Sequence, residues 1–349
     1  MPTSITTQKD FYSTILKDVL LAIHNNNFQD NYVEDERLET RGVFHADKRI
    51  EHFFWFHENL EKIYNAYKLF KDNHSKNLYI GVIKWRLGGQ TAIKIPIEYE
   101  LDESSYLKAS KPTKSNINII GKSRGLSNQI LMHYDFIWEG HRYKIDCTGL
   151  KFSLLRKQYF YEKDGIRVKP EKGEYVIDGG AFLGDSSIVF SNAVGSEGIV
   201  YCFELFEENF KILKYNIKQF PINNCIGFQF GLSNKNFDAQ EKNNSTEFNA
   251  SFQSNENYDL RTLDYLFENK LIEKVDFIKL DVEGDESNVL FGAKNLINRF
   301  RPKLAISIYH RHNDFHQIIN YLSLIHPFYT FYLGHYTNGF PETVLYCSP

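Results

Sequence analysis

What this 349-residue chain has little of excludes several protein classes at once. Its four cysteines, Cys147, Cys202, Cys225 and Cys347, contain no C-x-x-C pair, and their spacing is that of neither a disulfide framework nor a zinc site. This reads as a cytoplasmic chain with reduced thiols. Neither charge sign is in excess: 41 Lys+Arg face 44 Asp+Glu, for a net charge of −3. A dedicated nucleic-acid binder carries a clear basic surplus, so none is expected here. A disordered chain combines low hydrophobicity with high net charge, and this chain has neither. No run approaches the ~18 apolar residues of a membrane span. Met1 to His24 has apolar residues at helical spacing, but Lys17 and Asp18 interrupt the unbroken core that a signal peptide needs. There is no internal repeat and no long low-complexity stretch.

Aromatic residues are abundant: 22 Tyr, 29 Phe and 3 Trp. Lys, Asn and Ile are frequent as well, so the excess fits codon bias in an AT-rich genome and marks no particular site. At about 100–200 residues per domain, the length suggests two domains, or one with an extension.

Texture divides the chain near residue 130. Upstream, the spacing predicts helices at Lys9–Asn25 and Lys48–Lys71. Strand-like runs follow at Leu78–Trp85 and Thr91–Ile97, then a polar loop at Asp102–Ser115. Four consecutive aromatics, Phe53 to Phe56, cannot share one helix face, so some must meet a core or an interface. Downstream, Ile130–Trp138 and His141–Cys147 read as a hairpin turned at Glu139-Gly140. From Tyr175 apolar runs alternate with helical stretches. Strands are expected at Tyr175–Asp178, Ile199–Glu204, Cys225–Leu232, Asp276–Asp281, Lys303–Tyr309, Tyr329–His335 and Thr343–Cys347. Helices are expected at Ser186–Val194, Glu207–Gln219, Leu263–Glu268, Glu286–Phe300 and Phe315–Ile325. This alternation predicts an α/β fold: a Rossmann-like, doubly wound, mostly parallel sheet with an N-terminal α+β extension. Only a short turn (Asn338 to Pro341) separates the last two strands, so that pair should be antiparallel.

Four strand ends carry chemistry. The first is Val176-Ile177-Asp178-Gly179-Gly180-Ala181-Phe182-Leu183-Gly184-Asp185. Ligands of open α/β sheets bind beyond the carboxyl ends of the strands. Gly180 and Gly184 lie four apart, which misses the dinucleotide pattern G-x-G-x-x-G. The loop fits D-x-G-x-x-x-G, which wraps the amino-acid part of S-adenosylmethionine, a ligand without pyrophosphate. The second strand, Val200 to Phe203, ends in Glu204, 26 positions after Asp178. An acid there is placed to accept both ribose hydroxyls of a nucleoside. The third run, Asp276 to Glu286, opens into four acids around Gly284. The helix dipole accounts for Asp285 and Glu286 at a helix start. It accounts less well for Asp281, which precedes the turn. The fourth, Lys303 to Asp314, empties into His310 and His312. With His335 near the end of the sixth strand, these are candidate bases or ligands.

In this order, VIDGGAFLGDSS (176–187), VYCFELFEENF (200–210), Thr262-Leu263-Asp264, DFIKLDVEGDE (276–286) and RPKLAISIYH (301–310) resemble the FkbM-type S-adenosylmethionine (SAM)-dependent methyltransferases. The resemblance covers about Tyr175 to Leu345. It implies a seven-stranded Rossmann-like sheet, SAM as cofactor, and O-methylation of a hydroxyl on a sugar or glycan, often in bacterial polysaccharide biosynthesis. By position, Asp178, Gly180, Phe182 and Gly184 match the SAM loop, and Glu204 matches the ribose acid. Gly179 and Asp185 in the same loop, Leu205 after the acid, and Leu232 ending the next strand join the candidate cofactor set. Asp281 and Glu283 match the family's IKxDVEG step. With His310 they are the candidate catalytic residues. A divalent metal held by oxygen ligands among the same acids would serve the same end, since Mg²⁺ commonly takes one or two carboxylates plus waters.

The organisation that follows is a methyltransferase domain over 130–349, with its core at 175–347, and an N-terminal region over 1–129 without assigned chemistry. The partner is a small-molecule or glycan acceptor, and a homo-oligomer is compatible with the N-terminal region. Two other readings stay open: a nucleotide-binding Rossmann oxidoreductase, and a non-catalytic scaffold that keeps the fold. Binding of NADH in place of SAM would select the first, and binding of neither would select the second.

Overall fold

The structure, a computed structural model, describes residues 5–25, 46–89, 92–95, 103–117, 130–238, 258–337 and 342–349. The expected turn at Asn338–Pro341 and most of the polar stretch 233–257 lie outside them. The chain begins with helices α1 (Gln8–His24), α2 (Ala46–Glu58), α3 (Leu60–Leu69), α4 (Asn73–Gly88) and α5 (Glu103–Ser110). Short β1 (Thr113–Lys114), β2 (Met132–Trp138), β3 (His141–Cys147), β4 (Tyr161–Lys163) and β5 (Ile166–Val168) follow. Then come β6 (Tyr175–Gly179), α6 (Asp185–Val194), β7 (Ile199–Phe203), α7 (Glu207–Ile217), β8 (Cys225–Phe228), β9 (Gly231–Leu232), β10 (Leu260–Arg261) and α8 (Leu263–Glu268). The chain closes with β11 (Phe277–Leu280), α9 (Glu286–Phe291), α10 (Lys294–Phe300), β12 (Lys303–Ser307), α11 (Asp314–Ile325), β13 (Thr330–His335) and β14 (Thr343–Ser348).

Seven strands share one sheet in the order β13-β14-β12-β11-β6-β7-β8. β6 pairs in parallel with β7 and with β11, so Asp178 stands beside Cys202 on one side and Lys279 on the other. β12 and β8 extend the parallel set outward. Strands buried on both faces read as continuous apolar runs, which is why β6, β7, β11 and β12 were legible. Seven residues separate β13 from β14, too few for a crossover, so this pair is antiparallel. The expected Rossmann-like, mostly parallel α/β fold is the one observed.

Contacts divide the chain into two compact units. One comprises Met1–Tyr99 with Ile308–Cys347; the other comprises Glu100–Ser307 with Ser348–Pro349. These units rest on packing, whereas the motif boundary near residue 130 marks only where the chemistry-bearing runs begin.

In the first unit several expectations are corrected. Leu78–Trp85 is not a strand but the middle of α4, capped by Asp72, whose side chain accepts from Ser75 N at 2.7 Å. A helix buried on nearly every side shows no 3.6 period, so its apolar run mimics a buried strand. Residues 92–95 of the second run are not strand either. Lys48–Lys71 is two helices, interrupted at Asn59, whose side-chain amide bonds back to Trp55 O at 3.0 Å. Of the four aromatics, Trp55 and Phe56 are buried and Phe54 faces solvent. The Trp55 ring N–H donates to Asn313 at 2.9 Å. Arg86 is fully buried, with its guanidinium 4.2 Å from the Phe315 ring centre, and donates to His312 O.

His316 on α11 is fully buried, and neither ring nitrogen has a hydrogen-bond partner among the described residues. Burial, with help from Lys62 and Arg86, pushes its pKa down to about 4. The ordinary value is about 6.5, so the unfolded chain binds a proton that the native chain refuses between those limits. Stability from this site is therefore intact above pH 6.5 and falls by up to ~3 kcal/mol as pH drops toward 4. His316→Leu should raise the melting temperature at pH 5 more than at pH 8. Denaturation at the two pH values checks this.

In the second unit the polar stretch Asp102–Ser115 is corrected from loop to α5 followed by β1. One buried aromatic docks the helix: Tyr106 packs edge-on against Phe136 and Trp138 of the β2–β3 hairpin. That hairpin turns where expected, with Glu139 and Gly140 both at positive φ, as a two-residue turn requires. Cys225–Leu232 divides, β8 staying in the main sheet while β9 pairs with β10. Glu286–Phe300 also divides, because the Asp264 carboxylate accepts from Asn295 N and Leu296 N and starts α10 afresh. No cysteine forms a disulfide. No helix among the described residues is long and apolar enough to cross a membrane.

Candidate active site

β6 delivers Asp178 and Gly179 to the carboxyl edge of the sheet. The chain then turns at Gly180, with φ +76°, and a Cβ there would lie 1.9 Å from the Asp281 backbone oxygen. Only glycine allows that approach. Phe182 also sits at positive φ, and Gly184 at φ +95° leads into α6.

Asp178 is fully buried. Its Oδ2 accepts from Ser186 at 2.8 Å and Ser187 at 2.6 Å, both in the first turn of α6. Its Oδ1 lies 3.0 Å from the Lys279 ammonium. The same ammonium donates to Gly179 O at 3.1 Å and Gly180 O at 2.8 Å. Burial alone would push Lys279 down; Asp178 and Asp281 outweigh it and hold the ammonium above its ordinary value. One buried cation thus fastens the glycine turn, the β6 acid and β11 together. Lys279 lies within the Asp276–Glu286 run, outside the candidate site set. A lone lysine in an apolar parallel strand was the available signal, because such a charge is almost never buried unpaired.

Glu204, 5% exposed, follows β7 and bends back to the loop. Oε2 accepts from Phe182 N at 3.0 Å, and Oε1 from Phe206 N at 2.8 Å. Burial pushes its carboxyl up to about 7, and those hydrogen bonds restrain the rise. Burial likewise raises Asp185, to about 6. Leu232 packs on Gly179, where a Cβ would come 3.3 Å from its Cδ1, and Leu205 covers Gly231 in the same way at 3.1 Å. Leu232 reaches this place from β9, not from the end of β8 as the sequence suggested.

After β11, Asp281 accepts at Oδ2 from the Tyr159 hydroxyl at 2.7 Å. Glu283 is exposed, on left-handed backbone at φ +56°. Glu286 is buried and closes the turn, its Oε1 accepting from Val282 N at 2.9 Å and Gly284 N at 3.4 Å. Asp285 is held by Ser233 and Asn288. Asp285 and Glu286 thus hold the turn that leads into α9. The second unit brings together the loop, Glu204, Leu205, Leu232, Lys279 and Asp281. His310 belongs to the first unit, its ring 4.1 Å from that of Tyr309. The His312 ring lies 4.6 Å from that of His52 at a tilt of 33°, and His335 is buried with Nδ1 hydrogen-bonded to Thr343 Oγ1 at 2.8 Å. Tyr159 and Ser153, which touch the motif acids, carried no sequence signal.

An open depression of about 360 Å³ lies elsewhere in this unit, walled by Lys114, His133, Asp146 and Tyr215. It contains none of the motif residues.

A mostly parallel seven-stranded sheet with a glycine turn after one strand and a buried acid after the next is a Rossmann-like α/β fold. Residues 178–331 match the family model described as the Methyltransferase FkbM domain. A methyltransferase FkbM from Methylobacillus flagellatus KT is similar in structure at 19% identity and a TM-score of 0.55, covering 86% of this chain and 62% of that one. The chain therefore spans less than two thirds of that protein. Looser overlaps join it to Aeropyrum pernix fibrillarin with bound S-adenosyl-L-methionine (13% identity, 68% and 87% covered, TM-score 0.39). An O-methyltransferase from Bacillus cereus overlaps at 17% identity, 51% and 75% covered, TM-score 0.34. These two are too distant to bear on function. No curated protein matches the sequence.

Proposed function

We propose that this chain is a SAM-dependent O-methyltransferase that methylates a hydroxyl of a sugar or glycan-related acceptor, as in bacterial surface polysaccharide biosynthesis. The observation that carries the reading is the glycine turn pressed against Asp281 beside the Glu204 carboxylate, within the residues that match the FkbM family model. When bound, SAM supplies an electrophilic methyl group. The residues of the chain then have three tasks. Gly179, Gly180 and Gly184 leave room for the amino-acid end, with Asp178 and Lys279 fixing the turn and Phe182, Asp185, Leu205 and Leu232 walling it. Glu204 accepts the ribose hydroxyls. An alcohol is a weak nucleophile while protonated, so a base must take its proton, and we assign that task to the set Asp281, Glu283 and His310. A divalent ion on the same acids would act instead by lowering the hydroxyl pKa. EDTA treatment tests that variant: unchanged turnover removes it.

The experiment that tests the reading is calorimetry with S-adenosylhomocysteine, alongside NADH fluorescence, followed by a screen of nucleotide sugars and glycans with labelled SAM. Binding of NADH and not of S-adenosylhomocysteine would overturn it.

The raised Glu204 carboxyl gives a pH prediction. Hydroxyl donors favour its ionised form. With a value of about 7 in the free protein, the ionised fraction falls roughly tenfold between pH 8 and pH 6. S-adenosylhomocysteine should bind about tenfold more weakly at pH 6 than at pH 8. Glu204→Gln should flatten that dependence, as calorimetry at the two pH values would show.

A further inference from the structure

The open depression of the second unit contains no motif residue, yet its wall is built around a buried charge. Asp146 of β3 is buried, and its carboxylate accepts from Ser115 Oγ at 2.5 Å, His133 Nδ1 at 3.1 Å and Gln219 Nε2 at 3.3 Å. A buried carboxylate needs such partners, and that much is packing. His133 goes further. A carboxylate only accepts, so Nδ1 carries the hydrogen and Nε2 is left for another partner. The side chain is 33% exposed where it lines the depression, and among the described residues its ring bonds only to Asp146. Lys114, Asn116 and Tyr215 line the same space; all three are exposed, and none makes a side-chain hydrogen bond among the described residues. The lining sets one cation, Lys114, against one carboxylate, Asp146, so no surplus positive charge waits there for an oxyanion.

We propose that this depression binds a neutral sugar ring. Its volume of about 360 Å³ is that of a small-molecule site, and such sites pair an aromatic face with a few placed polar groups. Tyr215 offers the aromatic face to the sugar C–H groups. His133 Nε2, the Asn116 amide and the Lys114 ammonium take the hydroxyls. A hydroxyl both donates and accepts, so it satisfies an imidazole nitrogen, an amide and an ammonium alike. One buried side chain ties this wall to the cofactor loop: Asn216 Nδ2 donates to Asp146 O at 2.8 Å and to Leu183 O at 2.7 Å, while its Oδ1 accepts from Asp146 N at 3.0 Å. The role of the sugar, though not its binding, rests on the reading of the chain as a glycan methyltransferase. On that reading the depression holds a unit of the acceptor other than the one methylated.

The test uses the full chain without cofactor. Saturation-transfer NMR is run with the methyl glycosides of glucose, galactose, mannose, rhamnose and N-acetylglucosamine, and binding of inorganic phosphate is measured beside them. At least one glycoside should bind in the millimolar range, and Tyr215→Ala and Asn116→Ala should each weaken it about tenfold. Both residues are exposed, so melting temperature and S-adenosylhomocysteine affinity should hold, the latter within about twofold. In alkaline buffer the ¹⁵N shifts of the His133 ring should place its hydrogen on Nδ1, and the Nε2 signal should move when the sugar is added. Absence of binding by every glycoside overturns the proposal, and so does binding of phosphate alone. A glycoside affinity that neither substitution changes overturns it as well, as does a hydrogen on Nε2 in place of Nδ1. Failure of S-adenosylhomocysteine to bind the wild type overturns the methyltransferase reading instead, and the sugar signals still decide this one.

Discussion

Lys279→Met should cost about 3–5 kcal/mol of stability, the usual cost of breaking a buried ion pair from one side. The native ammonium is 2% exposed and faces Asp178, which is fully buried. Methionine fills much of the lysine volume but leaves that carboxylate without its cation. It also strips the donor from Gly179 O and Gly180 O. Ser186 and Ser187 still hold Oδ2, so Asp178 keeps partners on one side only. The double variant Lys279→Met/Asp178→Asn removes the stranded charge, and should recover part of the loss. Urea denaturation of the wild type, the double variant and the two single variants Lys279→Met and Asp178→Asn reads the coupling directly. Losses that simply add would mean that the pair does not act as a unit. Weakened S-adenosylhomocysteine binding in the double variant would separate the role of the ammonium on the glycine turn from its role in stability.

What the sequence made legible, and what it hid, follows one physical line. Buried parallel strands leave apolar runs, and a glycine turn leaves glycines, so β6, β7, β11 and the Asp178–Gly184 loop could be placed by order and spacing. α4 could not, because burial on nearly every side erases helical periodicity and Leu78–Trp85 then looks like a strand. α5 was hidden for the opposite reason, since a polar helix with Tyr106 as its one large buried side chain offers almost no apolar pattern. The candidate site shows the same division. Residues whose role lies in the backbone, such as Gly180, announce themselves by type. Residues whose role lies in a long-range side-chain contact do not: the 2.7 Å bond from Tyr159 to Asp281 spans 122 positions. Lys279 lies between the two cases, visible as an anomaly in its strand but without a partner until the register set it beside Asp178.

Gly180→Ala should abolish cofactor-site binding, with S-adenosylhomocysteine affinity lowered at least ~100-fold, because the backbone cannot yield at either end. The new Cβ would sit 1.9 Å from Asp281 O, a backbone atom just past β11 rather than the tip of a flexible side chain. Asp281 N is itself bonded to Gly179 O, and Gly180 N to Phe203 O, so the clash can be relieved only by moving β11 or opening the turn. Either movement drags Lys279 off the turn carbonyls and separates Phe182 N from Glu204. Gly184→Ala is the discriminating control. Its φ of +95° is just as unfavourable for alanine, yet the nearest atoms are the ends of the Leu213 and Phe220 side chains, at 3.0 and 3.1 Å. Those can swing aside, so Gly184→Ala should show mainly the backbone strain of about 1–2 kcal/mol, with a far smaller loss of binding. Calorimetry and thermal melts on the pair therefore separate left-handed backbone from backbone-on-backbone contact. Equal losses in the two variants would mean that strain in the turn, and not its contact with Asp281, is what the site requires.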